Sequence, residues 1–174
     1  MPSDPFRLKV MKAISAQLKT VTPLNGFMFD LSDYTDEAGR TKERVFRGRV
    51  TFGENDPVPM VVVLEDPRAI DSNNAKDETP ASINKLRLLV QGFVQDDKEH
   101  PLDPAYNFSA DVISALVKAK ADRFNILGMD GKITALSFGQ PIHRPGGDEV
   151  SSNAYFIVGV TLTMVENLEC PRGE

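Results

Sequence analysis

Apolar residues recur every four positions at the start of the chain and every two near its end. Phe6, Val10, Ile14 and Leu18 form one stripe, with Met11 beside it and Arg7, Lys9, Lys12 and Gln17 off it. That spacing predicts an amphipathic helix. Asp4 is placed to cap it, Pro5 suits the first helical position, and Pro23 and Gly26 end it. Phe27–Leu31 reads as a short strand, and the acidic stretch 33–44 as a loop or hairpin tip. Val45–Val50 looks extended, with Gly48 marking a bend or bulge. Met60–Glu65 is apolar on both faces, the pattern of a central strand covered on both sides.

Residues 66–84 show no apolar period and read as a long loop, or as an arm that orders against a partner. Leu86–Val94 is the next strand; Leu86, Leu88, Val90 and Val94 share one face, while Leu89 and Phe93 lie on the other. A polar turn leads to a second helix that starts after Asp103, with Pro104 at its first position, and runs to about Lys120. Ala105, Ser109, Ala110, Ile113, Leu116 and Val117 make its inner face, widened by Phe108 and Val112. Lys132–Phe138 is a strand, and 139–149 a loop rich in Gly and Pro. Asn153–Glu166 is the longest strand: Phe156, Val158, Val160, Leu162 and Met164 face one way, Tyr155, Ile157, Thr161 and Thr163 the other. Such alternation predicts a half-exposed antiparallel strand. The tail, 167–174, is polar and reads as flexible. Helix, strands, helix, strands without βαβ alternation predicts an α+β fold, a mainly antiparallel sheet with two helices packed on one face, in a single domain spanning 1–174.

A chain of 174 residues can bury roughly 70% of its unfolded surface and needs no covalent staples. Its one cysteine, Cys170, excludes an internal disulfide framework and a multi-cysteine zinc site. No apolar run approaches the ~20 residues of a membrane span, and the first residues lack the apolar core of a signal peptide, so an intracellular, reduced chain with no membrane partner is expected. The net charge of −5 argues against a free nucleic-acid binder. The absence of Trp argues against a base-stacking platform.

The candidate chemistry is sparse. His100 and His143 each sit between polar and proline residues, and Cys170 lies in the tail, where nothing fixes the geometry of a nucleophile and base; all three read as surface residues. The acidic clusters are Asp30/Asp33/Asp36/Glu37, Asp71/Asp77/Glu78 and Asp96/Asp97/Glu99, and none matches a calcium-loop pattern. Gly128–Lys132 precedes a strand, whereas a phosphate loop precedes a helix. Arg47 and Arg49 fall on one face of the extended 45–50 segment, with Arg44 nearby, as an exposed strand face or as an anion or partner contact. No catalytic, cofactor-binding or metal-binding residue is assigned, and no cofactor is expected.

Taken in order, PFRLKVMKAISAQLKTVTPLNGF, VFRGR, PMVVVLED, LRLLVQGFVQDD, LDPAYNFSADVISALVKA, KITALSF and YFIVGVTLTMVE resemble the tail terminator proteins of tailed bacteriophages, also called tail completion or minor tail proteins. The likeness spans about residues 5–166. It rests on element order, on VFRGR, on the L-x-L-x-V-x-G-x-V strand and on the helix centred at Ala110-Asp111-Val112. The resemblance implies a small α+β subunit without catalysis. Copies join in a homo-oligomeric ring, typically a hexamer, at the head-proximal end of the tail tube in the virion neck, with assembly in the host bacterial cytoplasm. The ring would end polymerisation of the tail tube protein, meet the head-completion or connector protein, and pass genomic DNA through its bore without specific binding. Asp33, Asp36 and Glu37 would line that bore, where carboxylates repel phosphate, or lie on a solvated outer surface.

Two other readings stay open. One is another head–tail joining, neck or tube protein of a virion, which self-association separates in part. The other is a cytosolic enzyme or ligand-binding domain, for which loops 95–104 and 139–149, with His100 and His143, are the place to look.

Overall fold

The computed structural model describes residues 3–53, 55–68, 74–75, 81–147 and 150–172, with backbone alone at 74, 75, 81 and 82. Helix α1 spans Phe6–Leu18, and the strands before the second helix are β1 (Tyr34–Thr35), β2 (Thr41–Lys42), β3 (Val45–Arg47), β4 (Met60–Glu65), β5 (Asn74–Ala75) and β6 (Ala81–Val94). Helix α2 (Asp103–Lys118), β7 (Ile133–Phe138), β8 (Ile142–Arg144) and β9 (Ala154–Asn167) follow. The main sheet runs β3-β4-β6-β9-β7, with β5 beside β6 and β8 beside β9. Every described pairing in it is antiparallel except β3–β4. This is the α+β class expected, with β4 inside the sheet.

The spine of the sheet is β6 against β9, paired in continuous register from Ala81↔Asn167 to Val94↔Ala154. Alternation sends Leu86, Leu88, Val90, Phe156, Val158, Val160, Leu162 and Met164 to one face, all buried with Val61 and Val63 of β4. Both helices cover that face. α1 contributes Val10, Ile14 and Leu18, and α2 contributes Ala105, Phe108, Val112, Ala115 and Leu116. The opposite face carries a smaller cluster, Met60, Val62, Phe93 and Tyr155, covered by Phe46, Phe52 and Val58 from the strand and loop before β4.

Several boundaries differ from the sequence expectation. Asp4 does not cap α1; Pro5 precedes the helix, and Asp4 pairs with Lys12 (2.5 Å). Phe27–Leu31 is not a strand. The Asp111 carboxylate of α2 accepts the Met28 and Phe29 N–H groups (2.8 and 3.0 Å), replacing ladder bonds, while Phe29 packs on Phe108. The inner face of α2 is rotated from the expected one. Ala110 and Val117 are exposed, because the buried line runs through Phe108, Val112 and Ala115.

Residues 74–75 and 81–84 of the expected long loop are strand, since the full length of β9 demands a partner of equal length; the rest of 69–80 lies outside the described residues. The 139–149 loop contains β8. The described tail turns back on α1, with Phe6 N–H donating to Pro171 O (2.7 Å) and Arg172 Nη1 donating to Ser3 O (3.0 Å).

Candidate functional site

The three reactive side chains singled out from sequence do not meet. Cys170 is exposed beyond the C-terminal end of β9, whereas His143 pairs in register with Phe156 near its start. The intervening strand is on the order of 35 Å long at ~3.3 Å per residue. His100 is exposed, and its backbone N–H, like that of Glu99, donates to Asp97 Oδ1 (2.8 Å each). Those two bonds hold the Asp97 carboxyl below the usual range.

His143 instead forms a clamp between β8 and α2. Its ring stacks on Tyr106 (centroids 3.8 Å apart), and its Nε2 lies 2.8 Å from Ser109 Oγ. The Ser109 hydroxyl donates to Tyr106 O (2.9 Å). That uses its one proton, so the imidazole Nε2–H is the donor to Ser109 Oγ. A serine that receives a proton from histidine is not being activated by it, and Ser109 is buried. Burial pushes the His143 pKa down.

A second polar cluster ties α1 to the end of the spine. Glu166, buried on β9, accepts from Arg7 (2.6 Å from Nη2, 3.1 Å from Nε) and from Asn84 Nδ2 (2.6 Å). Burial pushes its carboxyl up, but the Arg7 and Asn84 hydrogen bonds outweigh it and leave the pKa lowered. A cleft of about 690 Å³ adjoins this cluster, lined among others by Phe6, Lys9, Lys132 and Cys170. Most of its charged wall is engaged: Glu166 by Arg7 and Asn84, Lys132 over the Phe6 ring, and Lys9 Nζ on Arg172 O, with Asp130 the remaining charged lining residue. Among the described residues no buried side-chain nitrogen or oxygen lacks a partner, and no group of His, Cys, Asp and Glu gathers to hold a metal ion.

The other candidates resolve into local structure. Asp30 closes a turn on Ser32. Asp33 and Glu43 share Lys19 at the end of α1, Asp36 takes Arg40 and Lys42, and Glu37 is exposed at the hairpin tip. Asp71, Asp77 and Glu78 lie outside the described residues. Gly128–Lys132 turns into β7. Arg47 and Arg49 do not share a strand face: Gly48 has φ 71° and ends β3. Arg49 then folds back to Asp56 (2.5 Å) and lies over the Phe46 ring (4.7 Å). Arg44 covers Tyr34.

What remains is a surface. Among the described residues, loop 48–59 covers one end of the sheet's second face and nothing covers the other. Toward the other end, that face presents Lys85, Arg87 and Leu89 of β6 beside Thr161 and Thr163 of β9 and Ser137 of β7, half-buried or exposed. β7 and β8 follow one another along the same side of β9, bridged by Gly139 N–H to Gly159 O (2.8 Å), and β7 ends the strand order. An edge strand offers backbone donors and acceptors to another chain. Among the described residues this face and this edge are continuous.

No model of a known protein family matches the chain, and no curated protein matches it. No helix among the described residues is long and apolar enough to cross a membrane.

Proposed function

We propose that this chain is a structural protein of a bacteriophage virion. It is a tail terminator subunit whose copies join in a ring, typically of six, on the head-proximal end of the tail tube. There the ring stops tube growth, meets the head-completion or connector protein and passes genomic DNA without gripping it. The protein works through its shape and makes or breaks no bond. The carrying observation is the one-sided sheet: helices close one face, while among the described residues nothing covers half of the other face or pairs with the β7–β8 edge. Such surface suits contact with further copies of a chain. Asp33 and Asp36 are ion-paired and Glu37 is exposed at the hairpin tip, so as a bore lining the hairpin would present Glu37 beside already paired carboxylates.

The test is particle mass and negative-stain imaging of the purified protein with and without tail tubes. Closed rings that cap tubes support the reading, long stacks favour a tube protein, and a monomer that never caps a tube defeats it.

A further inference from the structure

The first turn of α1 is completed by residues that follow β9. Among the described residues no side chain caps this helix: Pro5 holds the N-cap position, and Asp4 is taken by Lys12. A helix start leaves backbone donors without intrahelical partners. One of them, the Phe6 N–H, goes to Pro171 O (2.7 Å). Arg172 O accepts from Ser3 Oγ and from Lys9 Nζ (3.3 Å), and Arg172 Nη1 donates to Ser3 O (3.0 Å). Residues 168–172 therefore lie as a strap across residues 3–9.

A local turn aims the strap. The Asn167 side-chain oxygen, at the end of β9, accepts the Glu169 and Cys170 N–H groups (3.0 and 3.1 Å) and sends the chain back. Residues 168–172 are all exposed, whereas Val10, Ile14 and Leu18 of α1 are fully buried. A segment held by exposed hydrogen bonds opens at lower free energy than one held by buried apolar side chains. Phe6 and Cys170 both line the cleft of about 690 Å³ beside Glu166, so the strap that caps the helix is also a wall of that cleft.

We infer that residues 168–172 are a releasable latch on α1. Closed, the latch caps the helix and walls the cleft. Open, it lets residues 6–9 unwind and the cleft widen, while residues 10–18 stay docked on the sheet. The Arg7 side chain keeps its hold on Glu166 in the open state and tethers the loosened turn. The device does not rest on the ring reading, because every contact in it lies within one subunit.

The experiment is amide hydrogen exchange on the full chain and on the full-length triple variant Ser3→Ala, Asn167→Ala and Arg172→Ala. The variant loses the turn that aims the strap and the side-chain bonds between Ser3 and Arg172. In wild type, residues 6–9 should exchange faster than residues 10–18. The variant should speed exchange at 6–9 about tenfold, the size of a lost helix cap, with residues 10–18 and β6 as protected as before. Adding Pro5→Ser to the variant supplies an ordinary cap and should restore slow exchange at residues 7 and 8, which a general loss of stability would not allow. Unchanged exchange at 6–9 in the triple variant overturns the latch. So does exchange that rises together over α1, β6 and β9, or a variant that does not fold, since either makes the strap part of the cooperative core.

Discussion

The ring of Phe156 occupies the space that a side chain at Gly92 would need. The two residues are direct cross-strand partners on β9 and β6. A Cβ built at position 92 runs into the edge of the Phe156 ring and comes 2.9 Å from Phe108 Cε1. Phe108 and Phe156 meet edge-on (5.6 Å between centroids), so glycine lets α2 seat on the centre of the sheet. Gly92→Ala should therefore overpack the core and cost about 1–3 kcal/mol. Urea melts should show a lower midpoint, with Gly159→Ala, which meets nothing within 4 Å, close to wild type.

Arg7→Met should destabilise the chain by about 2 kcal/mol, because it leaves Glu166 buried beside Asn84 alone. The loss falls below the ~3–5 kcal/mol of a fully buried pair, since the Arg7 side chain is 40% exposed. The pH dependence has a fixed sign. Glu166 titrates lower in the folded chain than in the unfolded chain, so its stabilisation is complete above about pH 4.3 and is lost as pH falls through the depressed value. Glu166→Gln should flatten that part of an acid-unfolding curve.

His143 behaves in the same sense at higher pH. Its folded pKa is lowered by burial, so the neutral form is the one that fits between Tyr106 and Ser109. That contribution is present above about pH 6.5 and is lost as pH falls below it. Thermal melts between pH 8 and 5 should slope downward in wild type and less in His143→Asn. An NMR titration of the imidazole should report the lowered pKa directly.

The loop over the second cluster is held by one carboxylate. Asp56 accepts from Arg49 and from Gly53 N–H (2.5 and 2.6 Å), and Phe52 reaches Phe93 (4.6 Å between centroids). Asp56→Ala should cost about 1 kcal/mol. It should speed amide exchange over residues 49–56 while leaving β6 and β9 protected, measured by hydrogen exchange and mass spectrometry.

A catalytic reading makes a separate demand. Replacing His100 and His143 together with alanine should leave particle mass and tube capping unchanged at neutral pH. Lost assembly, or a turnover that depends on the two imidazoles, would favour an enzyme.

Much of the architecture was legible where one period repeats over many residues. Val10, Ile14 and Leu18 turned inward as their spacing demands, and both faces of β9 matched the alternation from Tyr155 to Met164. Legibility failed where the partner is remote or chemical. Phe27–Leu31 has strand composition, yet the Asp111 carboxylate takes the backbone donors at 28 and 29. Ala81–Asn84 alternates only briefly and in the inverted sense, with Asn84 buried and Ile83 exposed, and its strand state comes from pairing with β9 and β5. β8 hides as three residues between Pro141 and Pro145. The Arg7–Glu166–Asn84 cluster has no local signal, because its members come from three distant segments. On the candidate surface, the outward side of β6 was readable from Leu86 and Leu88. Which half of that side a loop would cover was not, because the cover depends on how Gly48 redirects the chain.

The β6–β9 ladder also dictates when this chain can fold. Val94 must find Ala154, and Ala81 must find Asn167, so the central strand of the sheet waits until residues 154–167 have been synthesised. Non-local pairing of this kind is slow. Until β9 emerges from the ribosome, β6 has β4 beside it and the helices over its apolar side but lacks its longest partner, so the nascent chain passes through a sticky stage whose length is set by the translation of residues 95–153.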